Sequence, residues 1–110
     1  MNYNITQTVN GVDEEGNPIG GAVWGTGLRI DWQNGPRGVD EETGELEPAN
    51  GAFVEDAIFA AKQRLGFFNT SRYRCRENSL AITKLEEALH WLDHRRQDRA
   101  AREVEGQHIV

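Results

Sequence analysis

Apolar and polar positions change their period part way along the chain, and that change divides it. Tyr3 to Val9 alternates loosely and predicts a first strand, closed by the turn cluster Gly11-Val12-Asp13-Glu14-Glu15-Gly16-Asn17-Pro18. A loose β-hairpin is expected there. In AVWGTGLRIDWQ, Trp24, Leu28, Ile30 and Trp32 share one parity while Arg29 and Asp31 share the other. This pattern predicts one half-buried strand with a solvated Arg–Asp pair on its outer face, stopped by Asn34-Gly35-Pro36. From residue 51 the period lengthens. Val54, Ile58, Ala61, Leu65 and Phe68 recur at helical spacing, as do Ile82, Leu85, Leu89 and Leu92. The first helix is expected to begin near Asn50-Gly51, with Glu55 and Asp56 favourably placed against its dipole, and Gly66 weakens its end. Asn69-Thr70-Ser71 reverses the chain, and the two stripes match well enough to pack antiparallel.

The fold class that follows is α+β: a small N-terminal antiparallel β region, then a long two-helix antiparallel hairpin. We expect residues 1–110 to form one domain, with a β region over 1–36, an acidic loop over 37–50 and the helical hairpin over 51–110. The loop, RGVDEETGELEPAN, carries Gly and Pro among its acids and is expected to be exposed and mobile.

Charge sharpens the division. The chain has 110 residues and a formal net charge of -6, yet the imbalance lies in its front half. Residues 1–50 hold two arginines against nine acids, and residues 51–110 hold ten bases against nine acids. Guanidinium groups crowd the stretch from Arg74 to Arg102. Clustered arginines on an acidic chain point to an anion, because diffuse solubilising charge has no need of clustering. Beyond Leu92 the apolar seam stops, while RRQDRAAREVEG keeps helix-forming residues up to Gly106. Such an overhang, bearing Arg95, Arg96, Arg99 and Arg102, either wraps a partner chain or lines a ligand pocket. Long nucleic acid is disfavoured as a partner by the net charge.

Other chemistries find little support. His90 and His94 have a zinc-ligand spacing, but Trp91 stands where a zincin needs glutamate, so no metal site is assigned. The glycines at 20, 21, 25 and 27 fit neither phosphate-loop spacing. Cys75, between Arg74 and Arg76, is read as a structural residue, and no nucleophile, base and orienting group can be assembled into a catalytic set. With one cysteine, no apolar run of membrane length and no leader-like N-terminus, a cytoplasmic protein without membrane contact is expected, and the Asn4-Ile5-Thr6 sequon is incidental. Phe67, Phe68 and Tyr73 near the arginines are compatible with nucleotide binding, and equally with a solvated face.

The segment RENSLAITKLEEALHWLDHR and the REVEGQH tail resemble the helical-hairpin domain of phage anti-defence nucleotide sponges. That family includes the anti-CBASS sponge, which is nearly all hairpin, and an anti-Thoeris sponge with a β region before it. The strand GTGLRIDWQNGP makes this chain look like the anti-Thoeris form, and the likeness runs from about residue 20 to 108. The tail departs from the family's usual VEGTH in placing Gln107 between Gly106 and His108.

The resemblance implies a non-enzymatic protein without cofactor. It would bind cyclic signalling nucleotides, namely glycocyclic ADP-ribose with cyclic di- and trinucleotides as further ligands, in the cytoplasm of an infected bacterial host. It also implies a dimer-based homo-oligomer, a hexamer in the family. By the same resemblance the ligand-binding residues are Arg29, Phe68, Asn78 and Arg95. Phe68 would stack on adenine and Asn78 read its edge, while Arg95 and Arg29 pair with phosphates or stack on the second face of the base. Asn78 and Arg95 lie 17 positions apart, about 25 Å on a continuous helix, so both can touch one ligand only if the arginine comes from a second chain. The alternative is a helical-hairpin protein-interaction module with no nucleotide ligand, in which the arginine end docks an acidic partner.

Overall fold

The computed structural model describes residues 2–109, with side chains described as far as Arg102. The side chains of the REVEGQH tail beyond Arg102, including Gln107, lie outside the described residues. The chain forms two compact units, residues 1–54 and residues 55–110.

The first unit is built on a three-stranded antiparallel sheet in the order β1 (Ile5–Val12), β2 (Pro18–Gly25), β3 (Leu28–Asp31). The β1–β2 turn is organised by Asp13, whose Oδ1 accepts hydrogen bonds from the Glu15 and Asn17 amides, both at 2.9 Å. The expected single strand through AVWGTGLRIDWQ is two strands. Thr26 and Gly27 form a two-residue turn, with Gly27 at φ +79°, a conformation that glycine adopts without a Cβ penalty. This turn inverts the expected parity. Trp24 pairs with Arg29 in register and so shares the face of Arg29 and Asp31, while Val23 pairs with Ile30 on the other face.

The acidic segment folds on itself as a small hairpin. Val39 and Leu46 form an antiparallel bridge, the Glu47 amide donates to the Gly38 carbonyl at 2.8 Å, and Arg37 Nε donates to the Glu47 carbonyl at 2.6 Å. Its residues are exposed, as expected. Behind it the chain returns to β3. Ala52 bridges Trp32, Gln33 Oε1 accepts from the Asn50 and Gly51 amides at 2.8 and 3.1 Å, and Asn50 Oδ1 accepts from the Asn34 amide at 2.8 Å. Because Asn50 and its neighbours are bonded to the strand's continuation, the first helix starts later than Asn50-Gly51.

The second unit is the helical hairpin, α1 (Val54–Asn69) and α2 (Arg76–Ile109). Glu55 and Asp56 do occupy the first turn of α1, and the helix passes through Gly66 to end at Asn69. Its last carbonyls are satisfied locally: Thr70 donates to Phe67 O and Ser71 to Phe68 O through backbone and hydroxyl alike. Asn69 joins the helices. Its Oδ1 accepts from the Cys75 amide at 3.4 Å and its Nδ2 donates to Ser79 Oγ at 3.0 Å. At the far end Glu55 meets Arg95 at 3.8 Å, which makes the pair antiparallel.

The α2 seam Ile82, Leu85, Leu89, Leu92 is half-buried as expected, and Asn78 and Cys75 extend it toward the turn at the same spacing. On α1 the half-buried positions include Ile58, Lys62, Leu65 and Phe68, whereas Val54 and Ala61 are exposed. Among the described residues none is fully buried, so these seams remain partly open to solvent.

Candidate functional site

The turn end of the hairpin gathers two of the four candidate residues, Phe68 and Asn78. Asn78 lies in the first turns of α2, where its backbone N–H donates to Cys75 Sγ at 3.4 Å, the thiol serving as the helix cap. The Asn78 side-chain amide has no intrachain hydrogen-bond partner among the described residues. Phe68 and Asn78 each stand one residue before a member of the Asn69–Ser79 bond, which brings both to this end. Both are half-buried, held by the fold yet reachable from solvent.

Arg64 also belongs here, although the periodicity did not single it out. Its guanidinium lies 4.9 Å from the Phe68 ring centre and 5.3 Å from that of Phe67, a cation–π arrangement over both. Arg72 covers the Tyr73 ring at 5.0 Å and donates to its hydroxyl at 2.8 Å. A signal for this cluster was present in the chain. Residues 57–76 contain Lys62, Arg64, Arg72, Arg74 and Arg76 and no aspartate or glutamate. On an acidic protein, this acid-free stretch concentrates positive potential around Phe68 and the turn, and it ends at Glu77, directly before Asn78.

The arginines at the other end of α2 are differently placed. Arg95 pairs with Glu55 at 3.8 Å, Arg96 with Asp93 at 2.7 Å and Arg102 with Asp98 at 2.9 Å. Each pair is substantially exposed, so each adds about 0–1 kcal/mol and can be exchanged for an outside anion. Arg95 and Asn78 lie on the same uninterrupted helix, and 17 positions at about 1.5 Å each keep them roughly 25 Å apart in one chain. The structure therefore joins Phe68 with Asn78 and separates both from Arg95 of the same chain.

Arg29 belongs to the first unit, on β3. Its Nη2 and Nε donate to the Asp31 carboxylate at 2.9 and 3.2 Å, and its guanidinium lies 5.2 Å from the Trp24 ring centre. The expected solvated Arg–Asp pair is present, with the side chains 61% and 60% exposed. The inverted parity adds Trp24 beneath it.

His90 and His94 flank Trp91 edge-on, with ring centres at 5.6 and 5.9 Å. Among the described residues no group of three His, Cys, Asp or Glu side chains is placed to hold a metal ion. Among them, too, no helix is long and apolar enough to cross a membrane.

Residues 26–97 match the family described as Acb2/Tad1, hairpin domain. That span runs from the β2–β3 turn well into α2 and includes Arg29, Phe68, Asn78 and Arg95. The chain is also similar to a protein named Thoeris anti-defense 1 from Bacillus phage SBSphiJ7, at 53% identity over 60 residues. Those residues are 54% of this chain and 42% of the relative, so the match spans less than half of that protein's length.

Proposed function

The chain belongs to the Acb2/Tad1 hairpin-domain family, and from that premise we propose that it is a phage anti-defence protein that binds cyclic nucleotide immune signals and holds them uncleaved. The first ligand is glycocyclic ADP-ribose, with cyclic di- and trinucleotides as further ligands, and the place of action is the cytoplasm of the infected bacterium. The observation that carries this reading is the turn end of the hairpin. There an aromatic ring and an amide without an intrachain partner among the described residues stand at the two ends of the hairpin turn, Phe68 within and Asn78 two residues past an acid-free stretch with five cationic side chains.

In the proposed site Phe68 stacks on adenine and the Asn78 amide reads the base edge, its donor and acceptor sides matching a purine's complementary groups. Arg95 of a second chain and Arg29 meet the pyrophosphate or the outer face of the base. The second chain is required by the 25 Å separation on α2. It is also favoured by seams that stay half-exposed in one chain. The assembly is accordingly a dimer-based homo-oligomer, and a hexamer is the state we expect.

Sequestration depends on affinity rather than turnover. A nanomolar dissociation constant corresponds to about 12 kcal/mol. One base stack and several charge-assisted contacts, at roughly 1–3 kcal/mol each, reach that range when the protein groups are held in place beforehand. Isothermal calorimetry against cyclic ADP-ribose isomers and cyclic oligonucleotides tests the proposal. Submicromolar binding of at least one glycocyclic isomer is expected. Absence of heat and of thermal shift across the panel would favour a protein-interaction module with no nucleotide ligand.

A further inference from the structure

An arginine can meet an anion through its Nε–Nη2 edge or through its Nη1–Nη2 end. In Arg29 the first of these is taken: Nε and Nη2 both donate to Asp31, at 3.2 and 2.9 Å. Trp24, its cross-strand neighbour, lies under the guanidinium at 5.2 Å and holds it from another side. What remains for an outside anion is the Nη1 end. Asp31 and Arg29 alternate along β3 with Ile30, so they share a face by strand geometry, and the row Gln7, Trp24, Arg29 crosses all three strands.

We propose that Asp31 and Trp24 are positioning residues that fix the Arg29 guanidinium for end-on recognition of the ligand. The inference rests on the reading that Arg29 touches the nucleotide. A carboxylate beside an anion-binding arginine acts in two opposed ways. Its charge repels the ligand, and its two hydrogen bonds remove the rotational freedom that the arginine would otherwise lose on binding. The pair is more than half exposed, so water and salt screen the repulsion. The two-bond geometry, unlike the single long contact of Arg95 with Glu55, is not screened in the same way, and on this proposal positioning outweighs repulsion.

The two effects have opposite signs, which makes the test decisive. Glycocyclic ADP-ribose is titrated by calorimetry into the wild-type chain, Asp31→Asn, Arg29→Gln and the double variant, each at low and at physiological salt. Positioning predicts that Asp31→Asn binds about five- to tenfold more weakly at both salts, and that this penalty vanishes when Arg29 is already Gln. Trp24→Leu, followed in parallel with thermal melts, is expected to weaken binding in the same Arg29-dependent way. Unchanged or tighter binding by Asp31→Asn, or an equal penalty in the Arg29→Gln background, would overturn the proposal while leaving the functional reading intact. Failure of the wild-type chain to bind would instead refute the functional reading, and the positioning role with it.

Discussion

Glu55 and Arg95 meet at 3.8 Å across the open end of the hairpin, and that contact marks the last point at which α1 lies beside α2. Past it α2 carries Arg96, Arg99 and Arg102 with no α1 alongside. The Glu55 contact is too long for a strong hydrogen bond, so what Glu55 supplies to Arg95 is mainly charge. In contrast to Asp31, removing this carboxylate should free its arginine. Glu55→Gln is expected to tighten nucleotide binding about two- to threefold at low salt, with the gain shrinking as salt rises. Calorimetry at two ionic strengths measures it. Weaker binding would show that Glu55 orients Arg95 instead.

A composite site has a signature in mixed assemblies. Asn78→Ala and Arg95→Ala chains, each weakened alone, are co-expressed with different tags and purified as mixed oligomers. If one chain supplies Asn78 and its neighbour Arg95, mixing restores a fraction of intact sites, and titration recovers high-affinity binding at reduced stoichiometry. If both residues act within one chain, no intact site forms in the mixture. Each single variant is expected to lose about 10- to 100-fold in affinity, the range for a charge-assisted or buried hydrogen bond.

Asn69 serves both helices, accepting from the Cys75 amide and donating to Ser79 Oγ. Asn69→Ala removes both bonds and is expected to cost about 1–3 kcal/mol in a thermal or denaturant melt. Since Phe68 and Asn78 flank this junction, affinity should fall together with stability. A melt indistinguishable from wild type would show that the turn is held by other contacts.

Gly51 lies against the Trp32 backbone, where a Cβ would come within 2.6 Å of the Trp32 carbonyl oxygen. Gly51→Ala must push the 50–52 segment off the strand and strain the bonds from Gln33 and Asn50. We expect about 1–3 kcal/mol of destabilisation in the sheet unit. Hydrogen exchange at Gln33, whose amide donates to the Ala52 carbonyl, and at Ala52, whose amide donates to the Asp31 carbonyl, would report it directly.

The seam of α2 was legible because Ile82, Leu85, Leu89 and Leu92 recur at helical spacing whatever lies opposite them. The face of Trp24 was not. Counting parity straight through Thr26-Gly27 places it with Ile30, and a two-residue turn there reverses the result. The Gln33–Asn50 network was equally invisible, since polar side chains 17 positions apart leave no periodic trace. Arg64 leaves no periodic signal of its own, and only the absence of acids from 57 to 76 sets it apart. Arg29, Phe68, Asn78 and Arg95 came from family likeness rather than from spacing. What spacing added was the separation on α2 that calls for a second chain.

On the proposed function the protein holds a cyclic nucleotide without changing it, and the fate of bound ligand tests this most directly. Purified protein is incubated with glycocyclic ADP-ribose, freed of unbound ligand by gel filtration, heated to denature it, and the supernatant is examined by mass spectrometry. Intact glycocyclic ADP-ribose is expected, released in amounts that approach one per pocket. Recovery of a hydrolysed product, or of no nucleotide from a folded chain, would contradict it.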